Sequence, residues 1–186
     1  VWVGVVEGGL NVMRPGSKAF IHYRMDNSNL PHNSVSTLTP DGNGNLWIGT
    51  WGGGVAVVDP NNPDKIWRLN VDSDHQFMLT FIGALAYDGI NHGMWIGANE
   101  GLFFYNLNTR TIEDPFPDCR NIRGCIGSLV TKDGRLMVGC IRGMVEVELK
   151  SRGKGKRFFK AYHNVYKLDK PNSRIFDKII SFCQTR

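Results

Sequence analysis

No run in the 186 residues approaches the ~20 consecutive apolar side chains that a membrane-spanning helix needs. No window repeats apolar residues at helical spacing against a polar face. Histidine is scarce, five in all, and none stands at metal-ligand spacing from a carboxylate. The four cysteines, Cys119, Cys125, Cys140 and Cys183, form no C-x-x-C pair, which excludes the common zinc patterns. A nucleophile elbow is missing. Gly153-Lys154-Gly155-Lys156 lacks the spacing and the Ser/Thr of a phosphate loop. Asp41-x-Asn43-x-Asn45 opens like a calcium loop, but its twelfth position is Gly52 where a bidentate glutamate belongs. The expectation is no metal, no cofactor and no catalytic residue.

What the chain has is glycine, 22 residues, together with a composition of 41% hydrophobic and 21% charged residues that suits a folded globular segment. It also has a recurrence. Val1-Trp2-Val3-Gly4 returns as Leu46-Trp47-Ile48-Gly49, Met94-Trp95-Ile96-Gly97 and Leu136-Met137-Val138-Gly139. The closing glycines step by 45, 48 and 42 residues (4 to 49, 49 to 97, 97 to 139), the period of a repeat architecture. A glycine-bearing turn and a second apolar run follow each copy: Val55-Ala56-Val57-Val58, Leu102-Phe103-Phe104-Tyr105, Met144-Val145-Glu146-Val147 and Leu10-Asn11-Val12. Each is a β-hairpin, with glycine supplying the positive φ of the turn.

Upstream lie Val35–Leu38, Ile82–Leu85, Ile126–Leu129 and Ile179–Phe182, apolar at first and fourth positions with mostly small residues between. Small side chains suit an innermost strand crowded at an axis. Asp-Gly turns lead from three of these into the second strand, which carries Trp47, Trp95 or Met137. Downstream, 19–23, 65–69 and 157–162 read as half-exposed outer strands, and the signal near Arg110–Glu113 is weak. Four short antiparallel strands per unit make the blade of an all-β propeller. Trp2, Gly4, Trp47, Gly49, Trp95, Gly97, Met137 and Gly139 are then the structural core of the repeat.

The stretch Asn33–Leu38, Asp41, Gly44–Thr50, Gly52–Val55 and Asp59 resembles the two-component regulator propeller repeat. Trp95-Ile96-Gly97 keeps the motif but puts Ala98 for threonine, while Met137 and Cys140 depart from it. The resemblance implies the periplasmic sensor region of a glycan-sensing hybrid two-component histidine kinase. It implies seven-bladed rings, hence a chain that is a piece of a longer sensor. It also implies further blades of the same parent as partners, a homodimer, and a membrane helix, kinase and DNA-binding module elsewhere in the parent. On this reading 1–30 is a partial blade lacking its inner strand, 31–75, 76–120 and 121–168 are blades, and 169–186 is the inner strand of a next or closing blade. The rival geometry closes a four-bladed ring by joining 169–186 to the first three strands.

Net charge is +5. Much of it sits at Lys150, Arg152, Lys154, Lys156 and Arg157, in a turn between the last two strands of a blade. A solvated loop explains it, and no basic face with interleaved aromatics points to nucleic acid. Cys125, at the start of an inner strand, and Cys140, at the end of its neighbour, are a candidate disulfide in an extracytoplasmic compartment, with buried free thiols the alternative.

In a propeller the turn between second and third strands shares a face with the crossover to the next blade, and such loops are the usual home of binding groups. The turns offer Trp51, Asn99, Glu100 and Arg142; the crossovers offer His32, His75, Arg120 and Arg123. Trp51 can stack on a sugar ring and the others can hydrogen-bond hydroxyls or a carboxylate. The expected function is a binding module for an oligosaccharide. The alternatives are a protein–protein scaffold and a propeller lyase or hydrolase. The last would need His, carboxylate or metal ligands near the axis, where the inner strands carry Ser, Thr, Gly and Ala.

Overall fold

The computed structural model describes residues 1–115, 123–130, 134–141, 143–149 and 158–163. The expected Ile179–Phe182 strand, the basic run 150–157, Arg120, Arg142, Cys119 and Cys183 lie outside them. The described strands form four antiparallel sheets in chain order. The first holds β1 (Trp2–Val5), β2 (Gly9–Val12) and β3 (Ile21–Tyr23). The second holds β4 (Val35–Pro40), β5 (Leu46–Thr50), β6 (Val55–Val58) and β7 (Ile66–Arg68). The third holds β8 (Ile82–Asp88), β9 (Gly93–Ala98), β10 (Leu102–Asn106) and β11 (Thr111–Glu113). The fourth holds β12 (Gly127–Val130), β13 (Arg135–Cys140), β14 (Gly143–Glu148) and β15 (Phe158–His163). Every strand pairs with its sequence neighbour, so each sheet is a meander, and the β-propeller blade is confirmed. The weakly signalled Arg110–Glu113 region is the outer strand β11.

The tryptophan strand is apolar throughout because it is covered on both faces. Side chains alternate along a strand, and each neighbouring blade takes one set. Leu46 and Ile48 of β5 pack with Leu10, Val12 and Leu30 towards the first blade. Trp47 packs with Ile82, Met94, Ile96, Phe103 and Tyr105 of the third. One blade later, Trp95 and Phe104 pack against Leu136, Val138, Val145 and Val147 of the fourth. The core is thus three layers between blades. Where a blade face has no cover among the described residues the alternation shows: Trp2 packs inwards, while Val3 and Val5 are 38% and 40% exposed.

The small inner-strand residues carry chemistry as well as little bulk. Ser36 Oγ donates to Ile82 O (2.6 Å), and Thr39 Oγ1 and Ser128 Oγ both donate to Leu85 O (3.0 Å each). Hydroxyls on β4 and β12 therefore tie both flanking inner strands to β8. The inner strands share a β-bulge. Val35 opposes Thr50 and Thr37 opposes Gly49, with Ser36 extra; Ile82 opposes Ala98 and Ala84 opposes Gly97, with Gly83 extra.

One feature differs from expectation. The second crossover contains a helix, α1 (Ser73–Met78). It is one and a half turns long, too short to show an apolar stripe, and Asp72 caps it by accepting from the His75 N–H (3.0 Å). Positive φ belongs to the turn glycines Gly9, Gly52 and Gly54. The motif glycines Gly4, Gly49 and Gly97 have ordinary strand backbone and are needed for closeness instead, as their Cβ positions are occupied by Val35, Ile82 and Cys125 of the next blade.

Candidate functional site

Each blade delivers the residue after its second strand to the same end of the assembly. Trp51, Asn99 and Ile141 are the repeat-equivalent positions, each following the strand residue (Thr50, Ala98, Cys140) that follows a motif glycine. Their backbones bond to the start of their own blade: Trp51 N–H to Ser34 O (2.9 Å), Asn99 N–H to Phe81 O (2.9 Å) and Ile141 N–H to Arg123 O (3.4 Å). Adjacent blades are then joined. Trp51 bridges Phe81 antiparallel, Gly52 and Gly54 N–H donate to Thr80 O (3.0 and 3.2 Å), and Gly124 N–H donates to Asn99 O (2.8 Å).

A cavity of about 340 Å³ opens where these turns meet, lined by Trp51, Phe81, Gly83, Asn99, Gly124, Cys125, Ile126 and Ile141. Its mouth is apolar and exposed: Trp51 is 47%, Phe81 54% and Ile141 42% accessible. Polar groups stand at one side. Asn99 Nδ2 donates to Glu100 Oε1 (3.0 Å), and the Arg123 guanidinium lies 3.7 Å from Glu100 Oε2. Two exposed aromatic rings and the Asn99 amide line the cavity, and the Glu100 carboxylate and Arg123 guanidinium are linked to it through Asn99; such a set can stack on a ring and hydrogen-bond its substituents.

The structure thus brings together Trp51, Asn99, Glu100 and Arg123. His32 stands beside the Gly52 turn, its ring against Gly52 and its Nδ1 accepting from Ser34 N–H (3.0 Å). His75 sits in α1 with Nδ1 2.6 Å from Asp72 Oδ2, a contact that lowers the Asp72 carboxyl pKa, first through the His75 backbone N–H and then through its ring. Cys125 and Cys140 are free thiols, both buried, with Sγ atoms 3.6 Å apart. Among the described residues no group of three His, Cys, Asp or Glu is placed to hold a metal, and no helix is long and apolar enough to cross a membrane.

Sequence reasoning missed Phe81 and Ile141. Phe81 reads as the residue before an inner strand and Ile141 as a turn residue, and only the convergence of three blades makes them walls of one cavity. It also missed a wider groove of about 560 Å³ between the second and third blades, lined by Trp67, Leu69, Asn70, Tyr105, Leu107 and Arg110 among others. The signal for it was Trp67, 45% exposed on an outer strand.

Residues 29–52 match the family model "Two component regulator propeller". The chain is 26% identical over 115 residues to Histidine kinase P4 of Formosa agariphila, covering 60% of this chain and 8% of that protein. Among solved structures, the extracellular domain of the hybrid two component system BT4673 of B. thetaiotaomicron aligns over 97% of this chain and 22% of its own (TM-score 0.74, 19% identity). That of BT3049 aligns over 88% and 21% (TM-score 0.68, 24% identity). PorZ, a surface component of the type-IX secretion system of Porphyromonas gingivalis, aligns over 83% and 20% (TM-score 0.53, 12% identity). The chain spans less than a quarter of the length of each of these proteins. Residues 29–52 thus carry a two component regulator propeller repeat, and the blades around it fold as in those extracellular domains.

Proposed function

We propose that this chain is a ligand-sensing segment in the periplasmic sensor of a hybrid two-component histidine kinase, and that its ligand is an oligosaccharide. The observation that carries the reading is the cavity where Trp51, Asn99 and Ile141 of successive blades meet Phe81. Trp51 and Phe81 offer faces to the C–H side of a sugar ring, and Asn99, Glu100 and Arg123 offer a rim for hydroxyls or a uronate. In this reading the parent is a homodimer and the chain divides into blades at 31–75, 76–120 and 121–168. The ligand favours one arrangement of the sensor over another by binding it more tightly.

A thermal-shift screen of the full-length protein against neutral and acidic oligosaccharides tests this. A bound glycan at a hundredfold excess over its Kd raises Tm by about 5–10 °C. Trp51→Ala weakens that response about tenfold in concentration through lost ring stacking. A flat response across the panel abolishes the oligosaccharide reading. The scaffold reading then stands, since one blade architecture can serve binding or assembly alike.

A further inference from the structure

We propose that Cys125 and Cys140 close into a cross-strand disulfide that ties the start of the fourth blade's inner strand to its neighbour. The repeat itself sets the two positions against each other. Thr50 opposes Val35 and Ala98 opposes Ile82, one step beyond the pairs Gly49–Thr37 and Gly97–Ala84. Gly139 opposes Gly127, and Ile126 N–H donates to Gly139 O (3.0 Å) in the same bulge. One step beyond, Cys140 faces Cys125, so an aliphatic residue and its partner in two blades have become two thiols in the next. Their Sγ atoms are 3.6 Å apart.

The backbone geometry suits the bond. The pair lies between the Ile126–Gly139 hydrogen bond and the bond from Ile141 N–H to Arg123 O (3.4 Å), while Cys125 N–H donates outward to Ala98 O of the preceding blade (3.1 Å). A pair flanked by ladder bonds rather than exchanging them is the narrow kind, with Cα atoms about 4.5 Å apart, inside the span a disulfide bridges. No third ligand accompanies the thiols among the described residues, and structural zinc takes four.

The reaction is thiol–disulfide exchange with an organic disulfide as oxidant. The Cys140 thiolate attacks one sulfur of the oxidant and expels the other as a thiolate, leaving a mixed disulfide. Cys125 gives up its proton, attacks Cys140 Sγ and expels the second thiolate. One S–S bond forms and one breaks, and two electrons and two protons pass to the oxidant. Both cysteines are 2% exposed in the folded chain, so exchange takes place while the blade is forming. The finished bond is then shielded from reductant and fixes the Cys125 wall of the cavity.

The inference rests on the periplasmic placement proposed above, because the cytosol keeps thiols reduced. The test is to recover full-length protein from the periplasm, denature it without reductant, alkylate it and digest it with trypsin. The expected product is peptide Gly124–Lys132 joined to Leu136–Arg142, disappearing when reductant precedes alkylation. Reductant added during unfolding lowers Tm by about 6–12 °C for a loop of this length. The C125I/C140A variant, which installs the third blade's residues, no longer responds to reductant. Alkylated Cys125 and Cys140 in exported protein overturn the inference, as does Cys125 joined to Cys119. If fractionation places the protein in the cytosol, the functional reading fails separately. The thiol pair is then judged by refolding in a glutathione redox buffer, where absence of the joined peptide overturns it.

Discussion

Gly97→Val lowers the unfolding free energy by about 2 kcal/mol, although valine is the better strand former. Propensity alone favours valine here by up to ~1 kcal/mol, because glycine is entropically costly in a strand and β-branched residues suit one. Packing opposes it and wins. A Cβ at residue 97 would stand 2.7 Å from Cys125 Cβ and 2.9 Å from Ala84 Cβ, distances that force two blades apart, and overpacking of this kind costs about 1–3 kcal/mol or more. The same law holds along the chain: a Cβ at Gly49 would meet Ile82 Cγ2 at 2.7 Å, and one at Gly4 would meet Val35. Gly4, Gly49 and Gly97 each receive a residue from the start of the following blade, and Gly49 also has Thr37 of its own inner strand against it. Gly89→Ala is the control, since its Cβ would find nothing nearer than Tyr87 Cε1 at 3.4 Å, and its stability stays within ~0.5 kcal/mol of the parent. Urea unfolding of the three proteins decides the matter. Equal midpoints for Gly97→Val and Gly89→Ala would remove close blade approach as the reason for the motif.

That law was only half legible in the sequence. The recurrence of Trp47-x-Gly49 and Trp95-x-Gly97 carries the blade period, because a repeat writes one supersecondary unit several times and lets weak strand signals reinforce one another. What a motif residue does within the unit is a relation between units, and spacing along one chain is silent about it. Gly97 therefore reads as part of the repeat core without a stated reason, until Cys125 is seen filling its empty side. His75 reads as a binding candidate on a crossover loop, because a helix of the length of α1 has no room for an apolar stripe to announce it. The cavity shows the same division. Trp51 and Asn99 stood out as departures from glycine in a turn, whereas Phe81 reaches the site through the crossover of the next blade and carries no local mark.

Similar blades serve different ends. The structures this chain resembles include extracellular domains of hybrid two component systems and a secretion-system surface component. What distinguishes such proteins lies in the residues their turns present, since a rigid scaffold frees its loops to vary. Trp51, Asn99 and Ile141 differ in character while the backbone bonds that hold them are repeated, each position donating its N–H to the start of its own blade. Substitutions here are accordingly expected to alter ligand response with little change in stability, the reverse of substitutions at Gly97.

Asp88→Ala is the second large effect, about 3–4 kcal/mol, from a residue with no catalytic or ligand role in this account. Asp88 is fully buried. Its Oδ1 accepts from the Ile90 and Asn91 N–H groups (3.0 Å each), and its Oδ2 accepts from Asn91 Nδ2 (2.7 Å) and Trp95 Nε1 (3.2 Å). One carboxylate therefore shapes the turn before β9 and satisfies the indole of the strand it leads into. Asp41 does the same one blade earlier, accepting from Asn43 and Asn45 N–H and from Trp47 Nε1 (3.0 Å). Removing the carboxylate takes the acceptor from the buried Trp95 indole and from three part-buried donors of the turn; a stranded buried donor costs about 1–3 kcal/mol and the part-buried ones less. It also loosens Asn91, whose side chain donates to Leu149 O of the fourth blade (2.8 Å). A double-mutant cycle with Trp95→Phe isolates the indole's share. Phenylalanine has no N–H to strand, so Asp88→Ala costs about 1–2 kcal/mol less in that background. Strict additivity would mean that Asp88 acts through its turn alone and that the paired Asp and Trp of each repeat are independent. Coupling would explain why the fourth repeat can carry Met137: a thioether has no donor and makes no demand on the turn before it.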